Sequence, residues 1–443
     1  IGYYNTFILA GGTSPGVFHI EESRIKGGYN ETSVDFGVKA HITDEEYETR
    51  VRENALIYSG IYNSKTKINK TNEFPIGASI TKAVDIANGS IQKLYAEDTD
   101  LNILQENKVS RALIDKDAIY TAEGTPISTV SNVVIGQIVP YLGKYGISNN
   151  PESFAYYGGR QYFADKNRGV ILRLTRDGLT PISMYGMKNF FRDNLQKSET
   201  AYGMYDEVKD QYVLSLQGDD ISGGKKSNST NPILESFSRF TTLGFSEGNK
   251  GWVSLYSYEP LCGTSLTNTF YTFKTYRLWE HYNPNTQRNK FYDATFKDPS
   301  YIKLIMNDKP SFVKNFLTVN YEGSEGWSMD SAESRSYNHN VKSSDTYTAV
   351  TETAYKIPKK GVTINDENGA AINAGFDLKE NKFFKQLKNN NTSVFNDDSY
   401  FSATGLKGEY LSMTMQYWEP NNITGEEKAE LFAVSNETQI SSN

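Results

Sequence analysis

The sequence predicts a mainly β protein, with an irregular β-propeller-like domain followed by a small C-terminal β subdomain. From residue 55 onwards, short runs rich in Ile, Leu, Val and Tyr alternate with turn residues, which is typical of antiparallel strands. An aromatic strand, a polar turn and an aliphatic strand recur about every 40 residues, which is the size of a four-stranded propeller blade. Beyond residue 321 the chain turns polar and Ser-rich, which indicates a second domain.

The repeat is clearest between residues 162 and 256. Its best copies are residues 162–174, 202–216 and 242–256, and residues 270–279 form a shorter fourth copy. A blade buries its faces only against its neighbours, so degenerate copies are compatible with a propeller. The copies contain neither a WD dipeptide nor an Asp-box motif, and an irregular β-sandwich stays open as the alternative.

Changes in pattern divide the chain into three predicted segments. Residues 1–50 hold an N-terminal strand and a linker. Because the chain starts without Met and its first strand begins at Tyr3, we expect this segment to continue an upstream part that is cleaved off; removal of the initiator Met is the alternative. Residues 51–320 form the propeller-like domain, with residues 118–150 as an insertion between blades. Residues 321–443 form the C-terminal β subdomain and tail, with a short helix expected at residues 378–387.

Composition excludes several classes of protein. The 443 residues include one Cys. They also include 46 Lys and Arg and 53 Asp and Glu, which gives a net charge of −7. One Cys cannot form an intrachain disulfide, which excludes a disulfide-stapled secreted scaffold. The negative charge is wrong for a protein that binds nucleic acid over its whole surface. No window approaches the ~18 apolar residues of a membrane span.

Ser14 lies in a literal match to the nucleophile-elbow motif, Gly12-Thr13-Ser14-Pro15-Gly16. In that elbow the residue after the Ser donates a backbone N–H to the oxyanion hole. Pro15 has no N–H to donate, so the segment is interpreted as a turn.

Metal-binding patterns are also incomplete. Asp98, Asp100 and Asn102 begin like a calcium loop, but Ile103 and Val109 stand where that loop needs Gly and Glu; a hairpin turn is the better interpretation. The four His (His19, His41, His281 and His339) have no His or Cys within ten residues, which excludes zinc-finger spacing. Cys262 is predicted to be a buried structural thiol.

The remaining polar clusters are interpreted as solvated loops. Asp219-Asp220 and Asp397-Asp398 lie among Gly, Ser and Asn, and residues 223–226 (GGKK) lack the frame of a phosphate-binding loop. A glycosidase pair assembled from distant blades stays open, because the separation of two carboxylates is invisible in sequence. No catalytic, cofactor-binding or metal-binding residue is therefore predicted, and the protein is not expected to be an enzyme.

Longer strings carry a more specific signal than these motifs. They are residues 88–94 (NGSIQKL), 104–124 (LQENKVSRALIDKDAIYTAEG), 136–153 (GQIVPYLGKYGISNNPES), 162–183 (YFADKNRGVILRLTRDGLTPIS), 251–258, 269–281, 313–323 (VKNFLTVNYEG), 406–411 and 430–434. Over residues 50–435 the chain resembles the tail stabilization, nozzle or muzzle proteins of podovirus-type phages, especially crAss-like phages.

This resemblance implies a virion structural protein at the distal end of a short phage tail, assembled in the cytoplasm of the bacterial host. It implies a homo-oligomeric ring, commonly six-fold, around the DNA channel, with a propeller-like domain. Expected partners are other tail ring or barrel proteins, tail fibres and the N-terminal part of a cleaved precursor. The ring would guide or gate genome and cargo ejection, and the DNA would pass through without specific binding.

The composition is compatible with that role. A negatively charged wall repels DNA, and aromatic residues, 13% of this chain, are enriched at protein interfaces. The alternative function is a propeller-based glycan-binding or glycan-cleaving tail protein, which a deep central pocket with convergent Asp, Glu and Arg would favour. A non-catalytic bacterial surface propeller is a third option, and it would require a signal peptide.

Overall fold

The computed structural model describes residues 6–10, 18–22, 51–60, 62–74, 80–97, 100–120, 126–218, 225–226, 239–274, 276–286, 288–292, 299–337, 349–365, 371–390, 405–417 and 429–441. Within these ranges it contains 33 β-strands, three short 3-10 helices and one α-helix. The protein is therefore mainly β, as the sequence predicts. No helix in the described part of the chain is long and apolar enough to cross a membrane.

The chain divides into two compact units, residues 1–278 and 279–443. In the first unit the strands are β1 Thr6–Ala10, β2 Phe18–Glu22, β3 Ala55–Ile57, β4 Tyr62–Asn63, β5 Ile68–Asn69, β6 Thr81–Ala83, β7 Ile91–Glu97, β8 Asp100–Gln105, β9 Val109–Tyr120, β10 Pro126–Pro140, β11 Ala155–Tyr157, β12 Arg160–Asp165, β13 Val170–Thr175, β14 Gly178–Pro181, β15 Thr200–Asp206, β16 Gln211–Gly218, β17 Lys225–Lys226, β18 Arg239–Ser246, β19 Gly251–Tyr256, β20 Cys262–Leu266, β21 Thr269–Lys274 and β22 Arg277–Glu280, which reaches across the division. The helices are α1 Lys188–Asn194 and the 3-10 helices Ile86–Asn88, Pro151–Ser153 and Ile182–Met184.

The second unit has eleven further strands within the described ranges. They are β23 Ser300–Met306, β24 Lys314–Gly323, β25 Trp327–Tyr337, β26 Ala349–Thr353, β27 Thr363–Asn365, β28 Ala371–Asn373, β29 Asp377–Lys379, β30 Lys382–Gln386, β31 Leu406–Gly408, β32 Tyr410–Tyr417 and β33 Leu431–Ile440. The predicted domain boundary at residue 320 cuts through β24. The observed division comes earlier because β23 pairs with β32 and β24 with β30, β31 and β33, which ties residues 300–323 to the C-terminal sheets.

Four antiparallel sheets of the first unit follow one another along the chain. We name them sheet A (β7–β10), sheet B (β11–β14), sheet C (β15–β19) and sheet D (β20–β22). Sheets A and B share a core that includes Leu104 and Phe163. Sheets B and C share a larger one that includes Tyr162 and Tyr212. Sheet D contacts sheet C through β20 and β15, where the Ser265 hydroxyl donates to the carbonyl of Tyr205 at 2.9 Å. Each sheet thus packs on its neighbour, but the described strands do not close into a barrel or a propeller.

The predicted copies of the repeat do form hairpins, but not one blade each. The second and third copies lie in one sheet, because β16 pairs with β18 along its whole length. The predicted insertion 118–150 also contributes a strand, since β10 pairs with β9 and forms the outer strand of sheet A. Pro126 and Pro140 lie at the two ends of that edge strand, where the missing N–H costs no internal hydrogen bond.

The second unit is a sandwich of two antiparallel sheets. Sheet E has the order β23-β32-β25-β26, and sheet F has the order β29-β30-β24-β31, with β33 on the other side of β24. Their shared core includes Phe316, Tyr321, Met329 and Met413. Strands β31 and β32 are separated only by Glu409, so this stretch of chain passes directly from sheet F to sheet E.

The predicted helix at residues 378–387 is wrong, because these residues form the β29–β30 hairpin. Glu380 and Asn381 both have positive φ, 50° and 61°, as a type I′ hairpin turn requires. Phe383 is buried and stacks on Tyr321, with 4.5 Å between ring centroids, whereas the neighbouring Phe384 is exposed. This alternation between the faces of a sheet distinguishes the segment from a helix.

Candidate functional site

Several residues singled out in the sequence lie outside the described residues: Ser14, His41, Asp98, Asp219-Asp220, His339 and Asp397-Asp398. His19 lies in β2. Asp100 and Asn102 lie in β8, in the predicted hairpin with β7. Asp100 pairs with Arg111 at 3.4 Å, and Asn102 accepts a hydrogen bond from the Tyr141 hydroxyl at 3.1 Å. Both side chains therefore serve the packing of sheet A.

Cys262 and His281 have opposite environments. Cys262 is exposed, so the prediction of a buried thiol is wrong. The alternation of β20 turns its neighbour Gly263 inwards, where an added Cβ would stand 2.8 Å from the sulfur of Met204. His281 is buried, and its ring lies 5.9 Å from that of Phe291. In the described part of the chain, no three His, Cys, Asp or Glu residues are grouped so that they could hold a metal ion.

A ladder of four tyrosines joins sheets B and C. Tyr157 stacks on Tyr205 at 4.2 Å between centroids, Tyr205 on Tyr162 at 5.9 Å, and Tyr162 on Tyr212 at 4.9 Å. Burial raises the pKa of the Tyr162, Tyr205 and Tyr212 hydroxyls well above the ordinary value of 10.0. These phenols stay neutral at physiological pH and act as hydrogen-bond donors.

Two hydroxyls of the tyrosine ladder donate to partners outside the ladder. Tyr162 donates to Glu247 at 2.8 Å, and Arg173 forms an ion pair with the same carboxylate at 2.6 Å. Tyr212 donates to the carbonyl of Ser153 at 2.8 Å. Glu247 belongs to the β18–β19 turn of sheet C, so its contacts with Tyr162 and Arg173 tie that turn to sheet B.

The acidic residues of the repeat have structural partners. The fully buried carboxylate of Asp165 accepts from the Ser148 hydroxyl at 3.0 Å and from the backbone N–H of Gly146 at 3.1 Å, and it pairs with Arg168. Asp206 accepts from the backbone N–H of Val208 at 3.0 Å. Such carboxylates close turns, which explains why Asp or Glu recurs in each copy.

The second unit contains a cavity of about 460 Å³ beside β25 and the segment that follows β26. Its apolar lining includes Ala332, Ala354, Pro358, Ile364 and Ala374, and Asp330, Glu333 and Lys356 are its charged residues. Lys356 and Asp330 form an ion pair at 2.6 Å. No sequence motif marks this cavity, because its walls come from strands and loops that only the fold brings together.

Three large apolar side chains are exposed on β23 of sheet E, on the loop that follows it and on β33 of sheet F. Ile305 on β23 is 68% exposed, Phe312 in the loop after β23 is 51% exposed, and Ile440 at the end of β33 is 48% exposed. We call these three residues the edge patch. Ile440 is the register partner of Lys314, and the N–H of Ser441 donates to the carbonyl of Val313 at 3.0 Å, which holds the end of β33 beside this loop.

Lys314 holds the loop that carries Phe312. The Lys314 side chain is 1% exposed and its Nζ donates to the carbonyls of Asp308 and Lys309. Burial lowers the pKa of this amine. A buried cation is costly unless it is fully hydrogen-bonded, so these bonds fix the shape of the loop and the position of Phe312.

Residues 286–390 match the sequence model of the Crassvirus muzzle protein C-terminal domain. The matched segment lies within the second unit and includes the cavity and the loop of Phe312. The resemblance to crAss-like phage muzzle proteins is thereby confirmed. No curated protein matches the chain. The match supports a structural role in association with the phage tail.

Proposed function

We propose that this chain, which carries a crassvirus muzzle C-terminal domain, is a structural subunit of a muzzle or nozzle ring at the distal end of a short phage tail. In this role it guides or gates the ejection of genome and cargo. The observation that carries the proposal is the match of residues 286–390 to the muzzle C-terminal domain. The role is structural and needs neither a catalytic residue nor a cofactor.

The first unit suits this role as an irregular propeller-like domain. Sheets A to D are consecutive in the chain, antiparallel and packed each on the next, which is the local arrangement of propeller blades. The tyrosine ladder supports the proposal because it aligns two adjacent sheets through directional hydrogen bonds. Such a unit keeps its shape when a passing polymer exerts force on it.

The proposed assembly is a homo-oligomeric ring with six-fold symmetry, formed in the host cytoplasm and retained in the virion. Other tail ring or barrel proteins and the tail fibres are its proposed neighbours. The net charge of −7 supports DNA passage without specific binding, because phosphate contacts require Lys and Arg.

The decisive experiment is to locate this chain in intact particles by electron cryomicroscopy with focused symmetry analysis. We expect copies of the chain in a closed ring around the DNA channel at the distal end of the tail. The absence of the chain from purified particles contradicts the proposal. A soluble monomer that binds or cleaves glycans would replace it with the glycan-directed alternative.

A further inference from the structure

Strand β23 forms one edge of sheet E, and its main-chain groups are open on one side. Its seven residues pair one to one with β32, from Ser300 opposite Tyr417 to Met306 opposite Leu411, without a shift of register. In an antiparallel ladder the N–H and C=O groups of alternate residues point away from that partner. Within the described residues no other backbone group bonds to β23. A regular row of donors and acceptors therefore lies open along this strand.

The other edges of sheets E and F are protected. Strand β26, at the opposite edge of sheet E, is covered at one end, where the Asn390 N–H donates to the Thr353 carbonyl at 2.8 Å. In sheet F, β29 and β31 have only three residues each, and the register of β33 with β24 shifts twice. Covering segments, short strands and bulges keep sheet edges from pairing with other chains. Among the described residues, β23 has none of these three forms of protection.

The side chains of β23 are apolar on both faces of the sheet. On the outer face Tyr301 and Ile305, a member of the edge patch, are 59% and 68% exposed. On the inner face Leu304 packs against the core of the sandwich, whereas Ile302 is 39% exposed. A further strand beside β23 would cover Ile302 and extend this core. An exposed apolar edge of this kind is a template for a strand from another chain.

The charge of Lys303 decides which strand can pair there. Lys303 lies at the centre of β23, is exposed, and has no ion-pair partner among the described residues. Two antiparallel copies of β23 paired over their full length would place Lys303 opposite Lys303, and like charges directly opposite each other destabilise a sheet. A strand with a carboxylate at this position forms a cross-strand ion pair instead. The lysine thus disfavours a second copy of this chain and favours a different chain.

We propose that the open edge of β23 binds an extended segment of a different protein as an additional antiparallel strand of sheet E. The segment has apolar side chains at alternate positions and an Asp or Glu opposite Lys303. Main-chain hydrogen bonds supply the affinity of such a contact, and the side chains on the two faces supply its specificity. The inference goes beyond the proposed function and does not require a ring, because a single copy presents the whole edge.

A synthetic peptide tests the inference with the full-length chain. The probe Val-Thr-Val-Glu-Val-Thr-Val, blocked at both ends, places its valines on the inner face when its Glu lies opposite Lys303. We expect this Glu peptide to bind. A Lys peptide, in which Lys replaces the Glu, should bind about fivefold more weakly, because an attractive cross-strand pair becomes a repulsive one. Fluorescence anisotropy of the labelled peptides measures both dissociation constants.

Methylation of main-chain nitrogens distinguishes strand pairing from apolar adhesion. Methyl groups on alternate residues remove the N–H groups from one edge of an extended peptide and leave the other edge intact. Two forms of the Glu peptide, methylated at its even-numbered or at its odd-numbered residues, should therefore differ. One form should bind like the parent peptide, and the other should lose binding. Amide hydrogen exchange should show slower exchange in β23 when the parent peptide is bound.

A charge reversal in the full-length chain locates the site. We expect Lys303→Glu to reverse the preference, so that this variant binds the Lys peptide about fivefold more tightly than the Glu peptide. Lys309→Glu is the matched control, because Lys309 is exposed in the loop after β23 and not on the strand. This control should keep the preference of the unaltered chain. Circular dichroism verifies that both variants are folded.

The outcomes separate the peptide site from the proposed ring. If the Glu peptide does not bind, if both methylated forms bind alike, or if Lys303→Glu keeps the original preference, the inference fails. A dimer of the unaltered chain that is joined through β23 and resists the Glu peptide also overturns it, because a second copy then occupies the edge. None of these results bears on the location of the chain in particles, which decides the proposed function separately.

Discussion

The cores of the two units use different chemistry. Between sheets B and C of the first unit, tyrosine hydroxyls donate to Glu247 and to the carbonyl of Ser153. Between sheets E and F of the second unit, the core contains three buried methionines, Met329, Met413 and Met415. Directional hydrogen bonds specify one alignment of two sheets, whereas flexible thioether side chains adapt to their surroundings. The first unit is therefore expected to be more sensitive to conservative changes in its core.

The largest expected effect is at Tyr212, which is buried between sheets B and C. We expect Tyr212→Ala to lower the free energy of unfolding of the first unit by about 3–5 kcal/mol, because it leaves a cavity in a packed core. Tyr212→Phe removes only the bond to Ser153 and should cost about 1 kcal/mol. Urea unfolding with amide hydrogen exchange measures both. Equal losses in the two variants would show that the hydrogen bond dominates the contact.

Alkaline pH should weaken the first unit more than the second, where burial also raises the pKa of the Tyr321 hydroxyl. Burial raises the pKa of Tyr256 to about 12 from an ordinary 10.0, and it also raises the pKa of Tyr162, Tyr205 and Tyr212. Stability from a raised pKa is complete below pH 10 and is lost as the pH rises through the folded pKa.

For Tyr256 that loss amounts to about 3 kcal/mol. Hydrogen exchange at increasing pH, corrected for the intrinsic rate, should show sheets B and C opening before sheets E and F. Tyr256→Phe is the control and should remove its share of the pH dependence. Simultaneous opening of all four sheets would contradict the comparison.

The close approach of β15 to the backbone of Ser153 can be tested at Gly203. A Cβ added there would lie 1.9 Å from the carbonyl oxygen of Ser153, whereas at Gly251 the nearest atom would be 3.7 Å away. We expect Gly203→Ala to cost about 1–3 kcal/mol through overpacking. Gly251→Ala should change the free energy of unfolding by less than about 0.5 kcal/mol. Thermal unfolding of the pair measures the difference.

A conservative exchange in the second unit sharpens the comparison. Met413→Leu keeps the volume of a fully buried side chain, and we expect a cost below about 1.5 kcal/mol. Tyr205→Leu in the first unit should cost more, because it also removes the bond to Asp210 at 2.5 Å. Urea midpoints of the two variants provide the test, and a smaller loss at Tyr205 would overturn the contrast.

The smallest effect is expected at the Lys356–Asp330 ion pair beside the cavity. Both side chains are exposed to water, and exposed pairs contribute about 0–1 kcal/mol. Asp330→Asn should therefore leave the thermal unfolding of the second unit almost unchanged. A large loss would mean that the pair supports the cavity wall.

The strands and hairpins are the part of the fold that is predictable from sequence. The Asp and Glu of the repeated turns mark real hairpins, because buried carboxylates such as that of Asp165 accept hydrogen bonds from turn amides and hydroxyls. Which hairpins share a sheet is a long-range property. The pairing of β16 with β18, which are separated in sequence by residues 219–238, leaves no local signal. The repeat alone therefore predicts one blade too many.

The candidate assembly surfaces are less predictable still. Phe312 and Ile440 are far apart in sequence, and only the register of β24 with β33 brings them together. Ile364 and Ala354 line one cavity for the same reason. The prediction for Cys262 failed for another reason. Its aromatic neighbourhood in the sequence indicates burial, whereas the alternation of side chains along the edge strand β20 exposes the thiol.

The stretch of chain that leaves sheet F at Gly408 and enters sheet E at Tyr410 has a mechanical consequence. β31 is hydrogen-bonded to β24 in one sheet, and β32 is hydrogen-bonded to β23 and β25 in the other. Two sheets held together only by apolar side-chain contacts can slide past each other under load. Here a sliding motion pulls lengthwise on a backbone clamped at both ends, so many bonds must break at once. The continuous backbone from β31 to β32 therefore resists tension along the sandwich.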